Sequence, residues 1–360
     1  MAPFAGWDMP IQYDGILPEH LHTRARCGVF DTCHMGEFEL RGPTAEADLE
    51  RLLTARVGDL AAGQCRYAYL LDDNGGVLDD LTCYRFARDR FWLVVNAGTR
   101  AADADWIRAH CSAGAVFEDR SDALAKLDVQ GPASRSVMER AFGAPCPDLG
   151  YFRFAEPTLG GVPCVLSRTG YTGEWGYELY FPAERAVEFW ERLLAVPDAR
   201  PVGLGARDTL RLEMGYPLYG HELGPDRTPA GVAGGRFLEL AKPFIGRDNV
   251  RAELERGPRE RLVGLRLEGR RAGRPGARVW AAGRPVGTVT SGSFAPSVGC
   301  AVALAYLASE AAASGAPVEI EAGGARLAAR VTELPFYRKG TARNAAAPGA
   351  AAEAAGAKTG

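Results

Sequence analysis

The chain has no run of about 18 apolar residues, the length a helix needs to cross a bilayer, so no membrane is expected as its partner. Its N-terminus, Met1-Ala-Pro-Phe-Ala-Gly-Trp7, lacks the basic-then-apolar pattern of a secretory signal. Long blocks of one charge are missing too. Lys and Arg number 42 against 45 Asp and Glu, a formal net charge of −3, which argues against nucleic acid or an anionic surface as the main partner. A local Arg cluster can still serve an anionic small molecule without changing that total. Histidine is scarce, and His20 and His22 have no Cys or carboxylate company at ligand spacing, so no structural metal is expected. The eight cysteines form no Cys-x-x-Cys pair and several sit in apolar stretches. They read as reduced core thiols of a cytoplasmic protein.

What is present is ordinary globular material: 360 residues, 47% hydrophobic and 24% charged. That length suits two or three domains. Helix and strand patterns are mixed, without the regular alternation of a doubly wound sheet. Thr44 to Leu60, a stretch containing Trp106 and Ile107, Ser134 to Phe142 and Glu184 to Val196 carry apolar residues at helical spacing. Arg90–Val95 is a short β-type run. From Arg261 the character changes to short strands around 262–267, 278–282, 286–290, 317–320 and 327–334, separated by Gly and Pro. This predicts a separate all-β C-terminal domain. Residues 344–360 are Ala/Gly-rich and read as a disordered tail.

The most informative stretch is Tyr67-Ala-Tyr-Leu-Leu-Asp-Asp-Asn-Gly-Gly-Val-Leu-Asp-Asp80, two apolar-rich runs around a strong hairpin signal. With Asn74-Gly75 at the turn, Asp80 falls opposite Tyr69. Period-two alternation then gathers Asp80, Leu78, Tyr84, Phe86, Tyr69 and Tyr67 on one face. A carboxylate there is costly unless something pairs with it. It is either a site of chemistry or a group bonded to a neighbouring turn. Gly203-Leu-Gly205-Ala-Arg-Asp208 lacks the third Gly and the following strand of a dinucleotide turn. It reads as a helix with Ala206, Leu210 and Met214 on one stripe, and Arg207 and Arg211 one turn apart. Those arginines are either a solvated edge or a fork for a ligand oxygen. In Ser167 to Tyr180 a Gly-rich turn enters a strand with Tyr177, Leu179 and Phe181 on one side and Glu178 and Tyr180 on the other. On the residues alone an exposed strand Glu is the ordinary reading of Glu178. The sharper one is an acceptor for an amino-pyrimidine edge.

Taken together and in order, these segments resemble the aminomethyltransferase (T-protein) family of the glycine cleavage system. The matching stretches include Pro3–Tyr13, His22-Thr-Arg24, Phe30-Asp31 with His34-Met35, Asn74–Asp80, Asn96-Ala-Gly98 and Gln130-Gly-Pro132. They continue through Gly170–Glu174, Ala206–Glu213, Leu218-Tyr-Gly220, Gly287–Gly292, Leu304-Ala-Tyr306 and Pro335-Phe-Tyr337. Two positions depart from the family pattern, Cys33 replacing a small hydroxyl residue and Cys300 standing where a basic residue is common. The family also usually carries a short segment before the point where this chain begins.

The resemblance implies an α+β fold, a three-domain ring around a central folate channel. Its parts would be residues 1–31 with 119–215, residues 32–118 with 216–258, and a barrel of residues 259–343. It implies transfer of the aminomethyl carbon from the lipoyl arm of H-protein to tetrahydrofolate, with release of ammonia and no metal. Asp80 matches the essential acid, Glu178 the carboxylate gripping the pterin edge, and Arg207 the arginine beside that ring. Met35, Tyr67, Asn96 and Tyr171 match pocket positions, and Arg338 lies in the segment that closes over the site. Two other functions fit the same scaffold. One is a folate-dependent demethylase. The other is a non-enzymatic iron–sulfur maturation factor, against which stands the absence of Cys from Ala241–Arg247.

Overall fold

The computed structural model describes residues 1–233 and 235–347. Among the described residues the strands gather into two open sheets, a closed barrel and two small hairpins. The first sheet runs in the order Phe154–Ala155, Val165–Ser167, Gly176–Pro182, Leu124–Gln130, Cys27–Asp31, Ala199–Pro201, and only its last pair is parallel. Leu127, Val129, Tyr177, Leu179 and Phe181 on its outer face pack against the helices Ser134–Phe142 and Ala186–Leu194. The first of these helices ends on Gly143 at φ 64°, a left-handed cap that glycine adopts without strain.

The second sheet is antiparallel throughout: Gln64–Leu71, Val77–Ala87, Arg90–Val95, Gly36–Arg41, Val116–Asp119. Its outer face (Phe38, Leu40, Leu70, Leu81, Leu93) is covered by the helices Ala45–Leu52 and Arg100–His110. The inner faces of the two sheets meet, with Cys65, Tyr84, Trp92 and Val94 against Phe154, Val165 and Tyr180. Because side chains alternate along a strand, the residues that share this seam are those two apart from these.

The C-terminal unit is the all-β domain expected, a closed antiparallel barrel of Glu260–Leu267, Cys300–Ala308, Arg284–Ala295, Arg278–Ala281, Pro317–Ala322 and Ala325–Thr332. Sequence patterning missed its Cys300–Ala308 strand. The inward residues Ala301, Ala303 and Ala305 have weak strand propensity, and burial rather than preference holds them there. Each unit touches the other two. The Tyr84 and Tyr180 hydroxyls are 3.1 Å apart between the sheets. Ser297 N of the barrel donates to Glu213 at 2.7 Å, and Tyr306 donates to the Glu222 carbonyl at 2.7 Å. The segment after Glu222 packs Leu223, Phe244 and Val250 onto Tyr69, Leu71 and Val77 of the second sheet.

Some expectations change. The helix read over 44–60 stops at Leu52, because Leu53 turns extended (φ −102°, ψ 146°) and the following loop buries Val57 and Leu60 in the same core. The hairpin keeps the expected register, with Tyr69 opposite Asp80, but slips at a bulge so that Leu71 pairs with Val77. The connection is held by the Asp72 carboxylate, which accepts from Asn74 N and Gly76 N at 2.8 Å each, an Asx turn. The bulge turns Leu78 to the helix-covered face, away from Asp80. Residues 344–347, read as part of a disordered tail, are placed: the Asn344 carbonyl accepts from buried Arg168 at 2.9 Å, and Ala347 joins the first core. Residues 348–360 lie outside the described residues.

Candidate active site

Asp80 sits mid-strand on the seam face of the second sheet. Its Oδ2 accepts from the Tyr67 hydroxyl at 2.9 Å, and its Oδ1 accepts from Asn96 Nδ2 at 3.0 Å. Tyr67 stands next to Tyr69 across the strand face and is capped by Phe237 at 4.8 Å. None of the largest influences on Asp80 among the described residues is a cation. Burial first, then the neighbouring Asp79, push its carboxyl up to about 7. Burial and Asp80 in turn push the Tyr67 phenol up. Asn96 follows the Arg90–Val95 strand and reaches back, its backbone N to Asp79 Oδ2 at 3.0 Å and its Nδ2 to Asp79 Oδ1 at 2.8 Å.

Glu178 occupies the facing sheet in a different environment. Its strand pairs Glu178 with Asp128 and Tyr180 with Lys126, so all four share the seam face. Lys126 is fully buried and donates to Asp128 at 2.5 Å and to Glu178 Oε1 at 2.9 Å. Arg207, from the helix Leu204–Met214, donates to Asp128 Oδ2 at 2.8 Å. Thr169 and, at 3.3 Å, Tyr84 donate to Glu178 Oε2. Burial works against both charges, yet the carboxylates hold Lys126 above its usual value, and Lys126 and Arg207 hold Asp128 below its own. His34 lies beside these cations; burial, then Arg207 and Lys126, bring its imidazole down to about 4, so it is neutral at physiological pH.

Tyr171 joins the two walls. The Arg207 guanidinium lies 5.1 Å from its ring centroid, Tyr216 stacks on it at 5.8 Å, and its hydroxyl donates to the Pro217 carbonyl. Its phenol is raised by burial and also feels Asp80 and Arg207. Met35 packs into the seam cluster. Of the eight residues singled out from the sequence, the structure brings seven to this seam. Arg338 is apart: its side chain is 65% exposed and its nearest acidic partner is Glu333 at 3.4 Å. Arg211 is no solvated edge; it is buried against Glu222 at 3.0 Å and Ser291 at 2.7 Å. His20 pairs with Glu213 at 3.2 Å, and His22 reaches the Asp198 carbonyl at 2.9 Å. Sequence reading missed Lys126, Asp128 and Thr169, and put Tyr84 on the Asp80 face without its contact to Glu178. The signal was present in Ala125-Lys-Leu-Asp-Val129, where charges alternate with core residues of a central strand.

The spacing suits a flat, elongated ligand. Tyr84 stands four residues beyond Asp80 on the same strand face, about 13 Å at roughly 3.3 Å per residue, and Tyr84 touches Glu178. The two carboxylates therefore mark opposite ends of the seam, Glu178 paired with the buried Lys126 and Asp80 pushed up to about 7 by burial and Asp79. Glu178 keeps 14% side-chain exposure. If Tyr84 turns wholly to Tyr180, which is 3.1 Å away, that carboxylate has two of its four acceptor directions free, the others being taken by Lys126 and Thr169.

Comparisons with known proteins agree on one family. The model for the GCVT N-terminal domain matches residues 1–242, and that for the glycine cleavage T-protein C-terminal barrel domain matches residues 260–338. An aminomethyltransferase of Moorella thermoacetica is 43% identical over 344 residues, 94% of each chain. One of Symbiobacterium thermophilum is 43% identical over 350 residues, covering 94% of this chain and 93% of the relative. The crystal structure of glycine cleavage system aminomethyltransferase T from Bartonella henselae superposes with a TM-score of 0.89 at 36% identity, covering 94% of both chains.

Proposed function

This chain belongs to the glycine cleavage T-protein family and is a tetrahydrofolate-dependent aminomethyltransferase, and we propose that it takes the aminomethyl carbon from the lipoyl arm of H-protein. The products are ammonia and 5,10-methylenetetrahydrofolate. The observation that carries the residue assignment is the pair of unlike carboxylates at the two ends of one seam. Glu178, paired with Lys126 and oriented by Thr169, accepts hydrogen bonds from the amino-pyrimidine edge of the folate. Arg207 and Tyr171 lie beside the ring, with Met35 and Tyr67 lining the same pocket. We leave Arg338 outside the contact set, because its side chain points to solvent.

Bound tetrahydrofolate supplies the nucleophilic nitrogens. Asp80 faces them with one oxygen fixed by Tyr67 and the other by Asn96. A carboxylate poised near neutrality can take a proton from a ring nitrogen and can stabilise the positive charge that develops on the one-carbon unit as ammonia leaves. Its short side chain sets the distance, and burial makes its field felt. A cytoplasmic location belongs to the same proposal, supported by eight free cysteines, which suit a reducing compartment. The test is an assay for methylenetetrahydrofolate and ammonia with aminomethyl-loaded H-protein, beside a methyl-sulfonium donor. Product from the first donor supports the assignment; turnover of the second alone replaces it with a demethylase.

A further inference from the structure

Behind Asp80, on the helix-covered side of the same strand, lies a second carboxyl pair that the reaction set out above does not use. Asp79 is fully buried and Asp103, in the first turn of the Arg100–His110 helix, is 1% exposed. Each carboxyl acts on the other as a close acidic neighbour. Asp103 Oδ2 is buried with no hydrogen-bond partner. Four elements face the pair: the strand itself contributes Asp80, the helix Asp103 with Thr99 at its start, the preceding loop Asn96, and the segment after the Leu204–Met214 helix Tyr219. None is a cation. Two neighbouring carboxylates at that depth, with no cation paired to either, do not both ionise at neutral pH.

Asn96 connects this pair to the front of the sheet. Its Nδ2 carries two hydrogens but has three oxygens within bonding distance: Asp79 Oδ1 at 2.8 Å, Asp80 Oδ1 at 3.0 Å and the Asp80 carbonyl at 3.1 Å. What Asp79 takes from that amide is lost to Asp80. We propose that Asp79 and Asp103 hold one proton in common and, through Asn96, set the orientation and charge of the Asp80 carboxylate in front of them. They are positioning residues. The inference rests on the reading of Asp80 as the catalytic carboxylate.

With one proton in the pair, one negative charge remains, and its location is what Asp80 feels. In Asp103→Asn the new amide donates to Asp79, so the charge is pinned beside Asp80. In Asp79→Asn the only remaining charge is on Asp103, further away. The acid limb of the kcat/KM profile, which reports ionisation of Asp80, is therefore expected to move up by about one pH unit in Asp103→Asn and down by about one in Asp79→Asn. A purely structural role would lower the rate in both variants with the limb unmoved, or moved the same way, and either result overturns the proposal.

A second measurement needs neither activity nor those variants. Carbon-13 carboxyl NMR of aspartate-labelled wild type and Asp80→Asn should show two aspartates titrating together with one proton still bound at neutral pH. Ionisation of every aspartate below about pH 5 in Asp80→Asn would sink the pair. The joint titration in a wild-type enzyme that is inactive towards aminomethyl-loaded H-protein would support the pair while counting against the reaction.

Discussion

Asp128 and Asp80 are both aspartates on central strands facing one seam, yet Asp128 is ion-paired to Lys126 and Arg207, while the direct partners of Asp80 are the neutral Tyr67 and Asn96. On the first wall two carboxylates meet two cations, and the charges close locally. On the second, Asp79 and Asp80 are hydrogen-bonded by the Asn96 amide and the Tyr67 phenol, with Asp103 a further acid beside Asp79. The lesson is that depth alone does not decide the state of a buried acid. Its partners do, and a site that needs one fixed anion and one mobile proton builds the two environments side by side.

Substitutions can break that contrast at either wall. The largest effect is expected from Asp80→Asn, which keeps the shape but not the charge. Turnover should fall about 10³–10⁴-fold while folate Kd, measured by titration calorimetry, changes less than about threefold. Equal losses in both would make Asp80 a binding group.

Next in size is Lys126→Met, which leaves Asp128 and Glu178 buried with only Arg207 between them. A loss of about 3–5 kcal/mol in urea unfolding is expected; a loss under about 1 kcal/mol would mean that the cluster is not charge-balanced in the folded protein. Glu178→Ala should weaken folate binding by roughly 10–100-fold, the value of a charged hydrogen bond of about 1.5–3 kcal/mol. An unchanged Kd would remove Glu178 from the pterin edge.

The stability of the acid wall should vary with pH in the opposite sense to that of a salt-bridged carboxylate. Burial and Asp79 raise Asp80 to about 7, above the unfolded value near 3.9, so the native state binds the extra proton between those two values. The contribution is fully present below the unfolded value and is lost as pH rises through 7. Asp80→Asn should therefore be more stable than wild type at pH 8 by about 1–2 kcal/mol, and the two should converge below about pH 4. Coincident melting curves across that range would place Asp80 in a water-like environment. The smallest effect belongs to Arg338→Ala, whose exposed side chain should change stability by less than about 0.5 kcal/mol and leave folate affinity unaltered. A large loss of affinity would return Arg338 to the contact set.

Much of the site was legible because strands obey a period of two. The pairing of Tyr69 with Asp80 and the division of Tyr177, Leu179 and Phe181 from Glu178 and Tyr180 follow from local pattern alone. Leu78 escaped that rule through one inserted residue, which flips everything beyond it to the other face. Lys126 and Asp128 escaped for another reason. Ala-Lys-Leu-Asp-Val looks like any half-exposed strand until a second sheet and Arg207 close over it. Asp79 and Asp103 are 24 residues apart in a chain where only the packing of a helix on a sheet makes them neighbours.

The order of motifs, the alternation along each strand and the change to short Gly-punctuated strands after Arg261 were written in the chain itself. They determined the kinds of element, the barrel and the face on which Asp80 would lie. Which acids would be neutralised and which left to titrate was settled only when the sheets met. Desolvation and ion pairing act over a few ångströms in space, and no local stretch of sequence contains the partners that deliver them.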